Sequence, residues 1–213
     1  MSENLNHRYS IAEERLNVLT HGFGMFMSIV ALFFLIKKSF NYAGFWQQAS
    51  FIIYGVSMIV LYAASTFYHA AKMPKLRRKL NILDHAAIYV LIAGSYTPFC
   101  LVVLPEPTGW CLFVFVWLFA LAGVILKLFF TGRFDKLSTA LYLVMGWQVV
   151  FLIKPLIDNL SYDGLFYLLL GGVFYTVGAI LYSIQRIPFN HAIFHVFVLL
   201  GSASHFLTIF FYV

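Results

Sequence analysis

Seven long apolar stretches, 18–36, 49–69, 82–104, 109–130, 137–153, 164–184 and 191–213, occupy almost the whole chain and leave only short polar segments between them. Each is close to the roughly 20 residues that a helix needs to cross a bilayer core. The runs lack the alternation of barrel strands, and a backbone in lipid must satisfy its own hydrogen bonds, so the pattern predicts helices. The expected fold class is therefore all-α, an integral membrane bundle of seven transmembrane helices. No Ser/Gly/Pro-rich linker, low-complexity tract or internal repeat interrupts it, so a single membrane domain over 18–213 follows a polar segment over 1–17. That segment is mixed in charge and lacks the pattern of a signal peptide, so the first apolar stretch is expected to remain in the mature protein. Pro98 inside the third stretch predicts a kink. Gly171, Gly172, Gly178 and Gly201 predict close helix approach.

Composition agrees with the pattern. With 62% hydrophobic and 10% charged residues the chain cannot build a water-soluble surface, since soluble domains carry about 25% charged residues. A net charge of +6 would suit nucleic acid in a soluble protein. Here the basic residues cluster in connections beside apolar stretches, where they set orientation and meet anionic lipid. Membrane lipids are expected as partners and nucleic acid is not. Arg8, Arg15, Lys72, Lys75, Arg77, Arg78, Lys79, Lys127, Arg133, Lys136 and Arg186 fall on one side, and only Lys37, Lys38 and Lys154 on the other. The positive-inside rule then puts the N-terminus in the cytoplasm and the C-terminus outside. Cys100 and Cys111 flank the connection around 104–108; they are either two apolar thiols or a bridge, if that loop faces an oxidising compartment.

Within the seven stretches only Asp84 and Lys127 are formally charged. Lys127 sits near a helix end and is expected to snorkel to water. Asp84 lies near a helix start, where a carboxylate serves the helix dipole or carries chemistry. His69 ends the second helix, Asp84 begins the third, and His191 and His195 begin the seventh, all at cytoplasmic depth. Residues four apart share a helix face, which aligns His191 with His195 and Ser65 with His69. Three imidazoles from two helices can surround one ion, and zinc (Zn2+) held by three histidines with an open fourth position activates a bound water. Asp84 would hold or deprotonate that water, and Ser65 would hydrogen-bond to it or to an oxyanion. The alternative is that these groups are interhelical hydrogen-bond glue, each worth about 1 kcal/mol. Haem is disfavoured, because an i, i+4 pair on one helix suits a small ion better than opposite faces of a porphyrin. Glu14, Asn17 and His21 form a polar stripe on the first helix facing the same region. His205 stands about 21 Å along its helix from His191, too far to share the ion, and His85 points about 100° away from Asp84.

These residues fall in a set of motifs: Glu14-x-x-Asn17-x-x-Thr20-His21, Ser65-x-x-x-His69, Leu83-Asp84-His85, Tyr96-Thr97-Pro98, Met145-Gly146-Trp147 and Pro188-Phe189-Asn190-His191-x-x-x-His195. In this order and spacing the chain resembles the bacterial hemolysin III family, relatives of the progestin and adipoQ receptors that include the adiponectin receptors. The resemblance implies zinc on His69, His191 and His195, with Asp84 and Ser65 at the positions of the family's associated polar groups. Glu14, Asn17, His21, Tyr96 and His205 are then supporting or cavity residues. The wider superfamily contains alkaline ceramidases, which implies amide hydrolysis on a lipid, whereas the name hemolysin implies membrane lysis. The leading expectation is a zinc-dependent membrane hydrolase of a lipid-like amide or ester, with Asp84 as general base. The competing one is a non-enzymatic lipid sensor, regulator or pore that zinc merely braces.

Overall fold

Polar residues at the helix ends decide where each apolar stretch begins. In the computed structural model, which describes residues 9–213, α1 runs Ile11–Ser39. Ser10 caps it by accepting the Glu13 amide N–H at 3.1 Å, and Glu13 and Glu14 lie in the first turn, where carboxylates favour the helix dipole. Residues 11–17 of the expected N-terminal segment are therefore helical. Residues 1–8, including the Arg8 of the charge count, lie outside the described residues.

The chain continues through α2 (Phe45–Ala70), α3 (Pro74–Pro98), α4 (Thr108–Phe130), α5 (Asp135–Gly146), α6 (Ile153–Asn159), α7 (Tyr162–Ser183) and α8 (Asn190–Tyr212). The fifth crossing, Lys136–Asn159, is composite, with a tighter segment at Trp147–Leu152 joining α5 to α6. Counted so, the described residues hold seven helical crossings long and apolar enough to span a membrane, and no strand. Pro74 opens α3 ahead of its apolar run, since proline suits a first helical position. Pro98 ends α3, and the chain passes into a wider π turn over Phe99–Val103, closed by the Leu104 N–H on Phe99 O at 2.9 Å. The break in the fifth crossing is stitched from α3: the Tyr96 hydroxyl donates to Gly146 O at 2.7 Å and accepts from the Val149 N–H at 2.9 Å. Broken helices are tolerated at membrane depth where a neighbour satisfies the freed backbone groups in this way.

Packing runs α4–α3–α2–α1–α8–α7, and the broken fifth crossing bridges α3 and α7. Leu35, Phe51, Tyr54, Met58 and Leu61 fill the interior between the first helices, while Phe129 is 73% exposed, as a lipid-facing side chain should be. A Cβ at Gly24 would come within 2.7 Å of Tyr62 and Leu199, so only glycine lets α1, α2 and α8 meet there. Gly171 similarly seats the His205 ring, which a Cβ would approach to 2.2 Å. Gly178 and Gly201 lie against Phe197 and Tyr175, but Gly172 faces Trp147 at an ordinary 3.6 Å. Lys127 does not snorkel; it is 2% exposed, one turn below the Gly123 on which Tyr89 packs. Cys100 and Cys111 are both free, the first buried and the second exposed.

Candidate metal centre

The last turn of α2 supplies His69 and the first turns of α8 supply His191 and His195. The start of α8 is fixed locally. Phe189 adopts a left-handed conformation (φ 58°, ψ 26°), and the Asn190 side-chain amide donates to Tyr182 O at 2.8 Å, closing the end of α7. This brings the three expected ligands together. His69 Nε2 and His191 Nε2 are 3.1 Å apart, and one donor nitrogen from each of the three buried rings lies within 4.8 Å of the others.

Each ring is also held from behind. The His69 Nδ1–H donates to Glu14 Oε2 at 2.7 Å. Because an ionised carboxylate only accepts, this places the proton on Nδ1 and leaves the Nε2 lone pair facing His191. Asn17 lies 3.4 Å from the same Nδ1, and the other oxygen of Glu14 accepts from Arg77. His191 Nδ1 is 2.9 Å from the Tyr9 hydroxyl, and the His191 backbone N–H donates to Glu13 Oε1 at 3.3 Å. His195 Nδ1 is 3.3 Å from Thr20 Oγ1. The Thr20 hydroxyl donates back to Leu16 O and Asn17 O at 2.8 and 3.1 Å, so its oxygen is left to accept from the imidazole. Outer partners of this kind fix the tautomer and orientation of metal-binding histidines. Two nitrogens about 2.0–2.1 Å from a tetrahedral zinc stand about 3.3 Å apart, close to the observed 3.1 Å. The residues fit zinc.

Asp84 is buried but stands outside the three-histidine group; it lines the cavity into which His191 and His195 face, with Oδ2 3.8 Å from His85 Nδ1. His85 hydrogen-bonds Asn81 O at 2.9 Å. Ser65 lines the same cavity, and its buried hydroxyl has no hydrogen-bond partner among the described residues. His21 stacks on His195 with ring centres 3.4 Å apart and planes 9° from parallel, and meets the Tyr62 ring edge-on. His205 is a cavity residue remote from the ion site, with its Nε2–H donating to Leu168 O at 3.2 Å. Tyr96 also lines the cavity, but its hydroxyl is engaged by the fifth crossing and supports none of the histidines.

Tyr9, Glu13 and Arg77 are site residues that the sequence did not single out, and Thr20 stood in the first motif without an assigned role. Thr20 was within reach, because Glu13, Asn17 and Thr20 are spaced by four and three, as Glu14, Asn17 and His21 are by three and four, and both spacings keep residues on one helix face. Arg77 is hidden among five basic residues of one connection, and Tyr9 lies in a polar segment with no period to read.

The cavity of about 170 Å³ extends from Asp84 and His191 past Ile88, Leu91 and Phe99 to Leu104, Leu112 and Leu156, with mostly apolar walls. Asp84 to Leu104 along the third crossing is about 30 Å at 1.5 Å per residue, so the cavity is long and narrow.

The sequence model of the family described as Haemolysin-III related matches residues 9–206, a span that contains every residue of this centre. The chain is 50% identical over 204 residues to the Hemolysin-3 homolog of Bacillus subtilis (strain 168), covering 96% of each. It is 47% identical over 203 residues to Hemolysin-3 of Bacillus cereus, covering 95% of this chain and 93% of that one. A more distant likeness, 28% over 212 residues, links it to the human Monocyte to macrophage differentiation factor, with 96% of this chain and 87% of that protein covered. No solved structure matches. The match over nearly the whole chain and the seven apolar crossings lead to one statement: this multi-pass protein of the cell membrane belongs to the haemolysin-III-related family.

Proposed function

We propose that the protein is a zinc-dependent membrane hydrolase acting on the amide or ester of a lipid-like molecule. One observation carries the reading: three buried imidazoles, each backed by an oxygen at Nδ1, converge on one point, and two of them, His191 and His195, line a long apolar cavity. Zinc held by His69, His191 and His195 would supply a Lewis acid that polarises a carbonyl and makes a water more acidic. Glu14, Tyr9 and Thr20 keep the three rings in one orientation and tautomer. The Asp84 carboxylate, on the cavity wall, takes the proton of the attacking water and returns it to the leaving amine or alcohol. The Ser65 hydroxyl donates to the carbonyl oxygen as negative charge builds on it. The apolar wall toward Leu104 takes the acyl chain and keeps bulk water out. The distribution of basic residues supports a centre at the cytoplasmic side.

The test is Asp84→Asn, which keeps size and an acceptor but removes the base. Zinc content, melting temperature and fatty-acid release from ceramide-like amides and simple esters are measured on both proteins. Zinc and structure should be retained while release falls by about 10²-fold or more, the low end of general-base contributions. Full zinc with no release from a broad panel by the wild type would instead support a non-enzymatic regulator or pore braced by the ion. An Asp84→Asn protein that hydrolyses at the wild-type rate would remove Asp84 from the mechanism.

A further inference from the structure

We infer that Arg77 is a positioning residue of the metal centre, holding Glu14 against His69 so that this imidazole keeps its inner nitrogen aimed at the ion. The inference rests on the zinc reading above. Of the five basic residues from Lys72 to Lys79, just past the end of α2 and in the first turns of α3, Lys72, Lys75, Arg78 and Lys79 are exposed, whereas Arg77 is half-buried and turned into the bundle. Its planar fork has two jobs. Nη2 donates to Glu14 Oε1, while Nη1 donates to Tyr68 O in the last turn of α2 at 3.5 Å and to Ala71 O just beyond it at 3.3 Å. The guanidinium also sits 4.7 Å from the centre of the Tyr68 ring. Glu14 Oε2 is then left for the His69 Nδ1–H at 2.7 Å. One side chain from α3 thereby ties the carboxylate of α1 to the helix end that carries His69. A lysine cannot replace it, since a single ammonium has no rigid fork to reach both the carboxylate and the helix carbonyls.

The two jobs separate experimentally. Capping α2 does not depend on Glu14, but orienting His69 does, so only the second is lost when Glu14 is already gone. Zinc affinity of the purified full-length protein is measured by competition with a chelator for the wild type, Arg77→Gln, Glu14→Ala and the double variant. Melting temperatures and the visible spectra of the cobalt-substituted proteins are recorded alongside. Glu14→Ala should weaken zinc by about 10- to 100-fold and Arg77→Gln by about tenfold, the range for outer partners of metal-binding histidines. The double variant should be no weaker than Glu14→Ala by more than about twofold, because the two residues act in series. The cobalt spectrum should shift in Arg77→Gln but show no further shift on the Glu14→Ala background, where Arg77→Gln still lowers the melting temperature through the lost carbonyl bonds at the end of α2. Arg77→Lys supplies a second arm should Arg77→Gln not fold, with a zinc affinity a few-fold below wild type and the same direction of spectral shift. Unchanged affinity and spectrum in the Arg77 variants, or affinity losses that add in the cycle, overturn the inference. A wild-type protein that takes up no zinc is a different result and overturns the zinc reading instead.

Discussion

At the centre, each histidine has an oxygen behind it from the N-terminal part of the chain: Glu14 behind His69, Tyr9 behind His191 and Thr20 behind His195. The three rings were legible in the sequence because residues four apart share a helix face, and because a span count brings the end of α2 and the start of α8 to one depth. Their supports were only partly so. Glu14 and Asn17 stood out as charged or amide groups at helical spacing, but Tyr9 precedes any periodic segment, and Thr20 is a residue type that lipid-facing helices tolerate freely. Asp84 reads from its sequence position as the group that holds or deprotonates the ion's water, and in the structure it lines the cavity that His191 and His195 also line. If the oxygens matter as supports, Tyr9→Phe and Thr20→Val should each lower zinc affinity by about tenfold with little change in melting temperature. Competition against a chelator measures this; an affinity within twofold of wild type in both variants would show that the rings orient themselves.

The helices follow from the apolar runs, but their ends and interruptions do not. Helix α1 starts early because Ser10 and Glu13 form a cap, and α3 starts early because Pro74 occupies a first-turn position; a window that scores only apolar residues passes over both signals. The fifth crossing hides its break more completely. Trp147–Leu152 is as apolar as any helix, and the tighter winding there depends on a hydroxyl from another element. Tyr96→Phe removes that hydroxyl and leaves Gly146 O and the Val149 N–H without their partner. The cost should be about 1–3 kcal/mol, the usual penalty for a buried polar group stripped of its hydrogen bond. Thermal unfolding in detergent, with hydrogen exchange resolved by segment, should show a lower melting temperature and faster exchange over 146–152 while α7 is unaffected. Uniform exchange with unchanged melting would mean that the break is held by other contacts.

Over the whole molecule, the seven crossings put the N-terminal segment and the connections before α3, α5 and α8 on one side, together with the histidines at the end of α2 and the start of α8. That side carries most of the lysine and arginine, although Arg77 is turned inward and Lys127 is buried. A reporter fused after Val213 should be active only when it is outside the cytoplasm; cytoplasmic activity would invert the topology and move the centre to the opposite face. What the seven-helix pattern did not reveal is the cavity, because its shape depends on how α3, α7 and the broken fifth crossing pack rather than on any one stretch. Elemental analysis of the wild-type protein, purified without added metal and without chelator, should find about one zinc per chain, with occupancy much reduced in His191→Ala and His195→Ala. Wild-type protein free of zinc, or the same zinc content in all three proteins, would contradict it.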